Sequence, residues 1–174
     1  LRDGGYVNEF KFGNRVIKRI IEKLAKASID IIECGFMKRG EHDKDKSLFG
    51  SVEEIAEVIG EKNHKLMYVA MIQYGAIESD DISVYDGSSV DGLRVTFHES
   101  EISGAIELCK ELMKKGYKVF MQPVGTATYS DASLLKLIEQ MNELRPFAFY
   151  IVDTLGTMYK NDLLRLFYLV DHNL

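Results

Sequence analysis

Short apolar, β-branched runs alternate along this chain with longer stretches whose apolar positions recur every three or four residues. The short runs predict strands: "IDIIECG" (29–35), "KLMYVAMIQ" (65–73), "GLRVTFH" (92–98), "YKVFMQPV" (117–124) and "FAFYIVD" (147–153). The longer ones predict helices over 14–28, 51–63, 101–116, 130–144 and 159–173. Ile17, Ile20, Ile21 and Leu24 form one apolar stripe, and Ile106, Cys109, Leu112 and Met113 form another. Ser51 and Glu54 fit a capping box ahead of Ile55, Ser130 or Asp131 can cap the run that begins at Leu134, and Gly116 ends the helix before it.

Strand and helix alternate throughout, which predicts parallel strands joined by single helices: either an open doubly wound sheet or a closed (β/α) barrel. Both place their chemistry at the carboxyl ends of the strands, so the residues there are informative. They read Arg2 and Asp3, Glu33 and Gly35, Gln73 and Tyr74, His98 and Glu99, Gln122, then Asp153 and Thr154. An open sheet gathers its site in one crevice, whereas a barrel converges all its strand ends on one mouth. Polar groups at every strand end favour the barrel. The opening "LRDGGYV" reads as the end of a first strand, which makes six βα units and an incomplete (β/α)8 barrel. Residues 1–174 would form one partial-barrel domain, with a seventh strand beginning just beyond Leu174.

Composition narrows the classes. The chain of 174 residues is 46% hydrophobic and 28% charged, enough for one core. A net charge of -5 offers no basic stripe for a phosphate backbone, so nucleic acid is not expected as a partner. No apolar run reaches the roughly 20 residues that span a bilayer. Cys34 and Cys109 form no CxxC pair and read as reduced thiols, which implies a cytoplasmic location. Open barrel edges would expose unpaired backbone, so the chain is expected to pair with copies of itself or aggregate.

Carboxylates and amides at strand ends suit a hard divalent cation and an oxygen-rich substrate. Asp3 is the leading metal ligand, and Arg2 beside it offers a guanidinium fork for a carboxylate or an enolate oxygen. The competing reading of "RDGG" is a turn in which Asp3 caps and the glycines take positive φ. Glu33, flanked by apolar residues, needs a cationic partner, either Arg2 or a lysine. Arg94 lies on the same alternating face as His98 and reaches inward or pairs inside the barrel. His98 is placed for substrate contact or proton transfer, or is a satisfied structural histidine. Gln122 could meet a substrate carbonyl. Asp153 and Thr154 could supply a carboxylate and a hydroxyl to the substrate, or cap a helix. The mixed-charge run 38–47 reads as a solvated loop or a lid with His42 exposed, and 78–83 as the opening of a short helix.

Four segments in order, "LRDGGYV", "IIECGF", "LRVTFHESE" and "YIVDTLG", resemble the DRE-TIM metallolyases, the metal-dependent aldolases and lyases related to 3-hydroxy-3-methylglutaryl-CoA lyase and 4-hydroxy-2-oxovalerate aldolase. The resemblance implies that Arg2 stabilises the enolate formed on carbon–carbon cleavage, that Asp3 binds a divalent metal (Mg or Mn), and that Glu33 orients Arg2. The implied reaction is aldolase-type cleavage or formation of a carbon–carbon bond in a small 2-oxo or hydroxy acid. Two positions depart from the pattern. Tyr6 stands where the oxovalerate aldolases carry a catalytic histidine, and the family's His-x-His metal motif does not occur in this chain. A phenol with an unperturbed pKa of about 10 is a poor base at neutral pH. "LVDHNL" does not replace the motif, because His172 is expected on the loop at the opposite face from the site. The alternatives are a Claisen-type acyl-CoA transferase resembling isopropylmalate synthase, and a barrel that has lost its chemistry and acts as a binding module.

Overall fold

The computed structural model describes residues 1–27, 29–40 and 42–174. Six parallel strands form one sheet: β1 (Ile31–Met37), β2 (Leu48–Phe49), β3 (Met67–Gln73), β4 (Gly92–Phe97), β5 (Lys118–Pro123) and β6 (Ala148–Phe149). Their order is β2-β1-β3-β4-β5-β6, and the sheet does not close on itself. The helices are α1 (Arg2–Gly5), α2 (Asn14–Lys26), α3 (Val52–Ile59), α4 (Ile102–Lys114), α5 (Asp131–Leu144) and α6 (Lys160–Asn173). Helices α3, α4 and α5 connect strands that are parallel neighbours or one place apart, so the architecture is an incomplete (β/α) barrel. Among the described residues no helix is long and apolar enough to cross a membrane.

The two faces of the sheet differ. Ile32, Tyr68, Ala70, Ile72, Leu93, Val95, Phe97, Val119 and Met121 point toward the helices and pack with Ile17, Ile21, Ile55, Leu112, Leu137 and Leu166 in one core. The residues between them point to the concave side. Glu33 pairs in register with Val69, Met71 with Arg94, Arg94 with Phe120, and Thr96 with Gln122, so these side chains share that face.

β1 breaks the alternation once. Between Glu33 and Phe36 it gains one residue on β3, a bulge. Gly35 lies at the bulge because Ser47 runs against it: a Cβ there would stand 2.3 Å from the Ser47 carbonyl oxygen. The extra residue puts Phe36 on the same face as Glu33 and returns Met37 to the core.

Both expected serine caps form, although the capping box at Ser51 does not close. Ser51 accepts from the Glu54 N–H at 3.4 Å and Ser130 from the Ser133 N–H at 3.1 Å. Glu54 completes no reciprocal box, since its carboxylate accepts instead from Gly50 N–H at 2.6 Å. At the amino ends of the strands Asp91 gathers a closed network. Its carboxylate accepts from Lys62 Nζ (2.7 Å), the Tyr85 hydroxyl (2.9 Å) and the Tyr68 N–H (2.9 Å). The Asp91 backbone bonds to Tyr68 and Lys118, so this one residue clips the starts of β3, β4 and β5.

Four expectations are corrected. "LRDGGYV" is not a strand end: Tyr6 and Val7 N–H donate back to Asp3 and Gly4 carbonyls, so Arg2–Gly5 is a one-turn helix. The sixth strand is instead Leu48–Phe49, a pair of residues too short to show a period, which lies against the end of β1. His42 is not exposed; its Nδ1 lies 2.8 Å from the Leu48 carbonyl oxygen and its ring stacks on Phe49 at 5.5 Å. His172 belongs to the last turn of α6, stacked on Tyr168, rather than to a following loop. The strand expected over 147–153 pairs only at Ala148–Phe149, because β5 is its one neighbour.

Candidate active site

α1 lies against β1 and turns Arg2 onto the concave face. There Arg2 Nε donates to Glu33 Oε2 at 2.9 Å, and its Nη1 meets Asp3 Oδ1 at 2.6 Å. Arg94, from the middle of β4, reaches the other oxygen of the same carboxylate through Nη2. Glu33 is therefore held between two guanidinium groups. Arg2, Glu33 and Arg94 are largely withdrawn from water, whereas the Asp3 side chain is 81% exposed. Burial pulls the Arg2 pKa down, but the Glu33 hydrogen bond and charge, with Asp3, outweigh it and hold the group above its ordinary value.

The cluster sets two cations, Arg2 and Arg94, against Glu33 at its centre and the exposed Asp3 at its rim. It also carries unused hydrogen-bonding capacity. Arg94 Nε is buried without a partner, and so is Gln122 Oε1, one residue pair further toward the mouth on β5. Buried polar atoms seldom go unpaired in a folded core, so each of these calls for an explanation. The Tyr150 ring lies under the Arg94 guanidinium at 5.5 Å, a cation–π contact that fixes its plane. Tyr150 was not anticipated, although the period of two from Ala148 would have placed it on this face.

The other expected residues lie at the mouth, with no hydrogen bond or ion pair to this cluster among the described residues. His98 follows β4, and its N–H donates to Glu101 Oε2 at 2.7 Å; its side chain is exposed and lines an open cleft of about 680 Å³ with Ser100, Gly125, Thr128 and Tyr129. Asp153 caps a turn, accepting from Thr157 N–H at 2.9 Å and Met158 N–H at 3.0 Å. Thr154 Oγ1 accepts from Gly125 N–H at 3.2 Å and ties two loops together. Tyr6 is 67% exposed, beside Arg2 on the same side of α1. Among the described residues no three His, Cys, Asp or Glu side chains gather to hold a metal ion. Asp3 is the lone carboxylate here outside the Glu33 pair, and it is engaged by Arg2. Among the described residues this donor set does not fit a resident divalent cation.

No family model and no curated protein matches this chain. A solved structure does: the crystal structure described as "the N-terminal domain of a putative aldolase from Bacteroides vulgatus" superposes with a TM-score of 0.74. The fold is shared. The two chains are 21% identical, and the match covers 98% of this chain and 58% of that one, so this chain spans little more than half of its neighbour's length.

Proposed function

We propose that the concave face binds a small 2-oxo or hydroxy acid and stabilises the enolate produced as a carbon–carbon bond to it is broken or made, the chemistry of an aldolase-type lyase. The supporting observation is Glu33 clasped between Arg2 and Arg94 with an unpartnered Arg94 N–H beside it, the further counter-charge being the exposed Asp3 carboxylate on Arg2. A monoanionic acid supplies the missing acceptor and can take the place of the exposed Asp3 carboxylate at Arg2. Glu33 fixes both guanidinium planes before the ligand arrives, so no reorganisation is needed as charge moves onto the 2-oxo oxygen. The name of the Bacteroides vulgatus neighbour points to the same class of reaction.

In the cleavage direction His98 takes the proton of the substrate hydroxyl, and the electrons of the breaking carbon–carbon bond pass to the 2-oxo acid fragment. Arg2 and Arg94 hold the resulting enolate oxygen. Tyr6 donates the proton that converts the enolate carbon to the product acid and is reprotonated from solvent, to which His98 releases the proton it took. Gln122 orients the ligand by its free amide, while Asp153 and Thr154 hold the loops around it.

The test is enolisation itself. In D2O, exchange of the pyruvate methyl protons followed by NMR should occur with the protein and fall about 100-fold in Arg2→Gln and Arg94→Gln. No exchange by the wild-type protein would overturn the reading. One observation favours a second reading, a carboxylate-binding module: the buried cluster contains no free base, since Glu33 is held on both oxygens. That reading expects pyruvate to bind with the same dependence on arginine but without exchange. An acyl-CoA transferase would instead enolise only an acyl-CoA.

A further inference from the structure

We infer that the mouth carries an apolar subsite, walled by Tyr6, Phe10 and Phe36, that receives an aromatic substituent of the 2-oxo acid held at Arg2. The inference rests on the proposed function for the position of the acid and adds the class of its tail.

Three aromatic rings from separate parts of the chain meet beside the arginine cluster. Tyr6 packs edge-on to Phe10 at 5.3 Å and to Phe36 at 6.3 Å, and Phe10 to Phe36 at 5.7 Å. Each reaches this place through an unusual local feature. Phe36 faces the concave side only because of the bulge in β1, which brings it onto the face of Glu33. Phe10 comes from a turn in which two successive non-glycine residues, Glu9 and Phe10, have φ of 55° and 63°. That left-handed pair is sterically costly for side-chain-bearing residues. It is held by Phe10 N–H to the Gly5 carbonyl at 2.7 Å and Ser47 N–H to the Phe10 carbonyl at 3.1 Å. Gly5 is required in turn, since a Cβ there would lie 2.1 Å from the Phe10 ring. Tyr6 follows Arg2 by four residues across α1 and keeps 67% of its surface in solvent despite its two aromatic neighbours.

A bulge, a strained turn and an obligatory glycine thus converge on one exposed ring placed next to a fixed cation. Packing alone does not require an exposed aromatic at the end of such a chain of supports. An aromatic ring on the ligand can lie against Tyr6 with edge or offset geometry while its carboxylate stays at Arg2 and Arg94.

Calorimetric titration of the protein with pyruvate and with 2-oxo-4-phenylbutanoate separates the possibilities, since the two share the same acid head. The phenyl compound should bind about tenfold tighter or more. Tyr6→Ala should bring the ratio of the two affinities close to one, and Tyr6→Phe should keep it, because the ring and not the phenol makes the contact. Tyr6 is exposed, so neither variant threatens the fold. A ratio near one in the wild type, or a ratio unchanged in Tyr6→Ala, would overturn the subsite while leaving the reading of the arginine cluster intact. If neither acid binds, both are overturned.

Discussion

Two ion networks stand at opposite ends of the same sheet, and they differ in how completely they are closed. At the amino ends Asp91 receives Lys62, Tyr85 and the Tyr68 backbone, and Lys62 finds a second acceptor in the Gly87 carbonyl at 3.1 Å. Charges match one to one, and the Lys62 side chain is only 5% exposed. Toward the carboxyl ends Arg2 and Arg94 share Glu33, Arg2 takes a second carboxylate from the exposed Asp3, and Arg94 Nε and Gln122 Oε1 have no partner. Both networks bear the cost of withdrawing charge from water. One is finished within the protein, and the other leaves a donor and an acceptor unpaired. A full network holds strands together, whereas an unfinished one is where chemistry can enter.

Breaking the closed network should produce the largest effect. Asp91→Ala leaves Lys62 buried without a counter-ion and the Tyr68 N–H and Tyr85 hydroxyl without their acceptor, so urea unfolding should show a loss of about 3–5 kcal/mol. A loss below about 1 kcal/mol would mean that the two networks are energetically alike and that the comparison fails.

The opposite end should respond in the reverse sense. Arg94→Leu removes one buried cation and its unpartnered Nε–H while Glu33 keeps Arg2. Stability should therefore change by less than about 1 kcal/mol, while pyruvate affinity falls about 100-fold. Equal losses of stability in Arg94→Leu and Asp91→Ala would show that Arg94 is architectural.

Alkali provides a control on Arg94. Burial pushes the Cys34 and Cys109 thiols up to about 12 from an ordinary 9.0, and the Tyr117 and Tyr129 hydroxyls up to about 12 from 10.0. Between pH 9 and 12 these groups keep their protons in the folded chain and lose them in the unfolded one. Stability is thus full below pH 9 and declines as pH rises toward 12. Urea unfolding across this range should show that decline with the same slope in Arg94→Leu as in the wild type. At pH 8 a thiol reagent should find neither cysteine until denaturant is added.

The smallest effect should be that of metal. Asp3 is exposed, paired with Arg2 and without companion ligands among the described residues, so Mn2+ titration should show only the weak affinity of a surface carboxylate, and Asp3→Ala should hardly change it. Stoichiometric binding that Asp3→Ala abolishes would overturn this assignment.

Much of the scaffold was legible because its signals are local. The strands at β1, β3, β4 and β5, the five long helices and the caps at Ser51 and Ser130 all lie within two to four residues of where period and capping chemistry put them. The partnership of Glu33 followed from one physical demand, that a carboxylate among apolar neighbours requires a cation, and Arg2 answers it. What was not legible depends on the rest of the chain. Leu48–Phe49 is a strand only because β1 runs beside it. "LRDGG" is a helical turn only because its backbone closes on itself instead of meeting a neighbour. Phe10, Phe36 and Tyr150 are ordinary aromatics in the sequence; a left-handed turn, a bulge and the reach of Arg94 give them their places.

The bulge in β1 has a consequence for how this chain can vary. Side chains beyond Gly35 owe their facing to a single supernumerary residue, so β1 is read in two phases, one before it and one after. Point substitutions would alter one position at a time. Deletion of Gly35 would shift the second phase wholesale, sending Phe36 into the hydrophobic interior and Met37 out of it. It would thus exchange the chemistry of two compartments without changing the identity of any remaining amino acid. A lineage that shed that residue would have to rewrite Phe36, Met37 and their neighbours together. Length here constrains the strand more tightly than composition does.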